Sequence, residues 1–137
     1  MAITRETELG TIQIVNAIFA QIIFDGMMQE DCLDQIWPST PRGRQVGIIE
    51  RFTDTEFSMY IDVKRGEDGR IVLEFSVIVR FGVSIRAVTR ALADYVAEQI
   101  RALDGAYPSV ITINIAGVRS RHKVRRNTKV VYRYEAD

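Results

Sequence analysis

Apolar and polar side chains alternate without a break over residues 71–81. Ile71, Leu73, Phe75, Val77, Val79 and Phe81 fall on one side, and Val72, Glu74, Ser76, Ile78 and Arg80 on the other. A strand turns successive side chains to opposite faces, so this run predicts a long strand with one fully apolar face. Phe57, Met59, Ile61 and Val63 alternate in the same way and predict a second strand. Residues 65–69 between them end in Asp68-Gly69, a step that suits the positive φ of a tight turn, so the two strands form a hairpin. Past Gly82 the period lengthens. Ile85, Val88, Leu92, Val96, Ile100 and Leu103 form a stripe at helical spacing, with Arg86, Arg90, Asp94, Glu98 and Arg101 off it. Ser84 is placed to cap this helix and Gly105 to end it. Residues 110–116 predict a third strand, and residues 129–134 a short edge strand.

The front of the chain is less regular. Ile12 and Ile14 alternate within residues 9–15 and predict a short strand, after which Asn16 caps a helix carrying Ile18, Phe19, Ile22, Ile23 and Met27. The apolar stripe resumes at Met28, Leu33, Ile36 and Trp37. Gly26 weakens its middle, which allows one broken helix or two short ones. Residues 38–44 hold two prolines and a glycine and predict a loop. Residues 46–51 are a further strand candidate. The order is therefore β-α-β-β-β-α-β with an optional C-terminal strand. It predicts an α+β fold of two layers, a mostly antiparallel sheet with two helices on one face.

Composition narrows the class. The 137 residues are 47% apolar, enough for one core. Cys32 is the sole cysteine, which excludes an internal disulfide and a cysteine-rich zinc cage. The longest apolar run, residues 17–24, is broken by Gln21 and falls short of the ~20 residues of a membrane span. The N-terminus lacks the charged and apolar regions of a secretory signal. A soluble, cytoplasmic protein is the expectation. Basic and acidic residues balance at 18 each, yet the segments differ: residues 1–62 carry −6, residues 63–114 carry +1 and residues 115–137 carry +5. Such asymmetry lets one face attract anions or a neighbouring copy.

Several of these segments also form a recognisable series. A strand ending in Phe81-Gly82 leads through Ser84-Ile85-Arg86-Ala87-Val88 into a helix that continues over Val96 to Ile100, and residues 110–118 close on Gly117-Val118. This series resembles the alkaline-shock, or envelope stress response, family of Gram-positive bacteria, in which a strand ending in Tyr-Gly enters a helix at Ile-x-x-Val and a closing strand ends near Gly-Val. Gly10-Thr11-Ile12-Gln13-Ile14 followed by residues 16–23 is similar to the family's front end. The resemblance covers about residues 9–118. Phe81 replaces the usual tyrosine, residues 31–44 are longer and richer in proline, and residues 119–137 lie outside it. It divides the chain into a domain over residues 1–118 and a basic C-terminal extension over 119–137. The family has no catalytic motif. The resemblance implies a small cytoplasmic protein that acts by self-association and partner contact, in some members at the inner membrane face through a membrane-anchored partner. Other relatives are linked to the control of fatty-acid synthesis.

Candidate chemistry is sparse. His122 is the only histidine and sits between Arg121 and Lys123, where it reads as part of a solvated basic run instead of a metal ligand or general base. Cys32 lies among Glu30, Asp31 and Asp34, whose charges raise a thiol's pKa, so it reads as structural. Those three acids lack the further oxygen ligands of a calcium loop and read as a solvated helix face. Residues 66–69 lack the Gly-Lys-Ser/Thr ending of a phosphate loop. The one dense feature is Arg119, Arg121, Lys123, Arg125, Arg126 and Lys129, six cations within eleven positions. They suit a solvated tail, an acidic protein surface such as residues 1–62 of another copy, or an anionic polymer or membrane headgroup. Tyr132 and Tyr134 follow the run instead of interleaving with it, which argues against a nucleic-acid stacking platform. The expectation is a non-enzymatic structural or regulatory protein, without cofactor, metal or small-molecule substrate. It acts as a homo-oligomer, with a membrane-anchored protein as a further partner. The alternative is a nucleic-acid-binding module that uses the basic run.

Overall fold

The alternating run at residues 71–80 lies inside a five-stranded sheet. The computed structural model describes residues 8–46, 55–120 and 124–136, with side chains from Asn16, Phe57 and Arg126 onward in the three stretches. The elements are α1 (Glu8–Met27), β1 (Ile36–Ser39), α2 (Thr55–Ser58), β2 (Asp62–Arg65), β3 (Ile71–Arg80), α3 (Ile85–Asp104), β4 (Val110–Arg119) and β5 (Val124–Arg133). One edge of β3 pairs antiparallel with β2 over Ile71–Glu74 and with β1 over Ser76–Val79. Its other edge pairs with β4, and β5 closes the sheet antiparallel to β4. The β3–β4 pair is parallel because α3 carries the chain back along the sheet before β4 begins. The fold is α+β, with a mostly antiparallel sheet and both long helices on one face, as the periodicity predicts.

That face carries the core. Ile71, Leu73, Phe75, Val77 and Val79 of β3 and Ile111, Ile113 and Ile115 of β4 pack against Phe19, Ile23 and Met27 of α1 and Val88, Leu92, Val96 and Ile100 of α3. Gly26 fits this packing because a Cβ there would lie 2.7 Å from Leu92 Cδ1 and 2.9 Å from Tyr95 Cδ2. The glycine that weakens α1 locally is thus what lets it approach α3 closely. Ser84 caps α3 by accepting from the Ala87 N–H at 3.1 Å, and Gly105 ends it at φ +89°.

Four local expectations change. Residues 9–15 belong to α1 and not to a strand. The alternation of Ile12 and Ile14 is too short to outweigh Leu9, Ile12 and Phe19, whose spacing also fits a helix. Asn16 is consequently no cap; inside α1 its Nδ2 donates to the Ser58 and Ile61 carbonyls, both at 3.2 Å. The stripe resuming at Met28 is not helical. The chain turns through Asp34, at φ +63°, and Ile36 and Trp37 enter β1 opposite Val79 and Ile78. Phe57 and Ser58 sit in α2, where Phe57 meets Phe75 edge-on at 6.4 Å, and the strand begins only at Asp62.

The loop expected at residues 38–44 starts two residues later, since Pro38 and Ser39 end β1. Thr40 N–H donates to Arg44 O at 2.9 Å, and Thr40 Oγ1 accepts from the N–H groups of Arg42 and Arg44. Gly43 is at φ +91°, where a Cβ would stand 2.7 Å from Ala116 O, so the loop lies against the helix-free face of β4. The strand candidate at residues 46–51 lies outside the described residues beyond Val46. At the other end, β4 runs on to Arg119 and β5 has ten residues instead of six.

Candidate functional site

The expected basic run is divided by the sheet. Arg119, at the end of β4, places its guanidinium 4.6 Å from the centre of the Trp37 ring and donates to Gln45 Oε1 at 3.3 Å. Its register partner in the parallel pair is Arg80, which donates to Asp34 O. Arg126 is exposed, donates to Thr128 Oγ1 at 3.1 Å, and borders a shallow depression with Arg42, Ala116 and Asn127. Lys129 extends over the helix-free face, where its Nζ is 3.5 Å from Glu74 Oε2. Arg121, His122, Lys123 and the Arg125 side chain lie outside the described residues. The residues that crowd together in sequence therefore serve three different neighbourhoods.

Beside Lys129, Asn114 donates from Nδ2 to Glu74 Oε2 at 3.0 Å and to Ser76 Oγ at 3.5 Å. A carboxylate only accepts, so this contact fixes which way the amide points. Its Oδ1 is then buried with no hydrogen-bond partner among the described residues. Leaving such an acceptor unmet costs about 1–3 kcal/mol.

The β5 strand is a sheet edge with β4 as its one strand neighbour among the described residues. Arg126, Lys129, Val131 and Arg133 along it are exposed. An edge of this length presents a row of free backbone groups, and cations on it are a common guard against indiscriminate pairing. The opposite end of the molecule is acidic. Asp25, Glu30, Asp31 and Asp34 are all exposed on the segment that leads into β1, and β1 lies on the other side of β3 from β4 and β5.

A second group of cations was not singled out by sequence. Arg86 and Arg90 of α3 and Arg133 of β5 line one open depression of about 520 Å³, together with Ser84, Val131 and Tyr132. The Arg90 guanidinium lies 5.2 Å from the Tyr132 ring centre. Tyr132 is held in turn by a 2.7 Å hydrogen bond between its hydroxyl and that of buried Thr89. The first turn of α3 contains no acidic residue. The sequence signal was present in the helical spacing of Arg86 and Arg90, but nothing local joins them to Arg133.

Cys32 is buried, with Sγ donating to Val88 O at 3.7 Å. Burial, with a smaller contribution from the Asp31 charge, pushes its thiol up to about 11, so it is protonated at neutral pH. Burial outweighs the acidic neighbours on which the sequence argument rested. Among the described residues, no group of three or more His, Cys, Asp or Glu side chains is placed to hold a metal ion, and no helix is long and apolar enough to cross a membrane.

No curated protein and no solved structure matches this chain. A family model does match, over residues 4–120, which takes in every element from α1 to β4. The chain belongs to the alkaline shock protein 23 family, whose function is related to the cell envelope.

Proposed function

We propose that this protein is a non-enzymatic structural or regulatory component of the envelope stress response that works through self-association and partner binding. The observation that carries the reading is the open, basic β5 edge. Its ten residues offer backbone groups for pairing, while Arg126, Lys129 and Arg133 disfavour pairing of one β5 with another through like-charge opposition. An acidic surface is the better complement. The exposed acids of residues 25–34 on a second copy supply one, and no Lys or Arg occurs between Arg5 and Arg42 to dilute it. Contacts of this head-to-tail kind build rings or open chains instead of closed pairs. A membrane-anchored partner with an acidic segment engages the same edge in this reading.

Sedimentation velocity of the full chain at micromolar concentration tests it. Oligomers are expected at low salt, dissociating as salt rises and weakening in Arg126→Glu, whose side chain is exposed and whose loss leaves the core intact. A protein that stays monomeric at low salt contradicts the reading. Steeply salt-dependent binding of RNA or DNA that is lost in Arg126→Glu, without oligomers, supports the nucleic-acid module instead.

A further inference from the structure

The cations of the α3–β5 depression outnumber the anions around them. Arg86 and Arg133 have no carboxylate partner among the described residues, and Arg90 has one, Asp94, at 3.7 Å from its Nε. Three guanidinium groups against one carboxylate leave an excess of two positive charges at a single opening. The partial positive charge of the α3 N-terminus adds to it. Arg90 is held in place before any ligand arrives, because it lies over Tyr132 and Tyr132 is fixed by Thr89.

This arrangement selects among anions. A carboxylate has two oxygens and one charge, which one guanidinium fork already satisfies. A phosphomonoester has three terminal oxygens and carries about −1.5 to −2 at neutral pH, which matches both the number of forks and the excess charge. A phosphodiester offers fewer free oxygens and a single charge. At the lip, Val131 exposes 41% of its surface and gives the organic part of the ligand an apolar contact.

We propose that Arg86, Arg90 and Arg133 form a binding site for a phosphomonoester dianion, carried either by a small organic phosphate or by a lipid headgroup. The site is read out by binding alone, so it stands or falls separately from self-association. The full chain is titrated calorimetrically with glycerol 3-phosphate. It is also sedimented with phosphatidylcholine vesicles carrying phosphatidic acid, or phosphatidylglycerol at matched surface charge. Binding of glycerol 3-phosphate identifies a soluble source, and binding confined to phosphatidic acid vesicles a lipid one. In either case Arg133→Gln and Arg86→Gln, both at exposed positions, each weaken binding about tenfold or more. Lys64→Gln, an exposed charge on β2 away from the depression, leaves it unchanged. The proposal is overturned if neither probe binds, if phosphatidylglycerol binds as well as phosphatidic acid, or if Lys64→Gln weakens binding as much as the arginine variants.

Discussion

Cys32 shows how tertiary surroundings give one side chain a pH dependence. Unfolded, its thiol ionises near its ordinary value of 9.0; folded, it holds its proton to about 11. Between these values the unfolded state sheds a proton that the native state keeps, so stability is fully present below pH 9 and declines as pH rises toward 11. The loss is of the order of 2 kcal/mol. Urea denaturation across this range should show the midpoint falling, and Cys32→Ala should abolish the part of the fall that begins near pH 9. Tyr134, also raised by burial and by its hydrogen bond to Asp94, contributes only at higher pH. The acidic neighbours of Cys32 made the direction of its shift legible in the sequence. Its main cause was not, since burial depends on α3 closing over a turn that no local pattern predicts.

Among the elements, α3 is the one its own residues specify most completely. Cap, stripe and terminating glycine all lie within one short stretch, and each acts over a few residues. Ser84→Ala should therefore cost about 1 kcal/mol through the lost bond to the Ala87 N–H, read as a lower urea midpoint with unchanged m-value. Arg86 makes no cap contact and serves as the contrast. The end of β4 and the start of β5 behave in the opposite way. Both pairings of β4 shift register after Ile115 or its partner Val77, and such a bulge breaks the two-residue alternation by which a strand is recognised. Residues 117–127 look aperiodic for that reason, although much of the segment is strand.

For the whole molecule, β5 matters beyond its charges. It pairs with β4 over ten residues, and two of its tyrosine contacts reach α3: Tyr132 to Thr89, and Tyr134, just past its end, to Asp94 at 2.9 Å. Removing residues 121–137 should expose the β4 edge and the core residues Ile111, Ile113 and Ile115. The expected outcome is loss of a cooperative thermal transition, followed by circular dichroism; a truncated chain that melts as the full one does would show that β5 adds nothing to the fold. Assigning binding to the basic segment accordingly requires point substitutions, not deletion.

The sequence by itself determined the class of fold, the β3 strand with its apolar face, the whole of α3 with both ends, and the positive φ at Gly69, because each rests on spacings or caps spanning a few residues. Only the tertiary structure decided the rest. Residues 9–15 became helix and Ile36 and Trp37 became strand, since short apolar runs fit either period until long-range packing chooses. The basic run dispersed because sheet pairing and bulges give each of its residues different neighbours, toward Trp37, Thr128 or Glu74. Arg86, Arg90 and Arg133 came together for the complementary reason: a helix crossing beside a sheet edge joins residues that no sequence spacing connects.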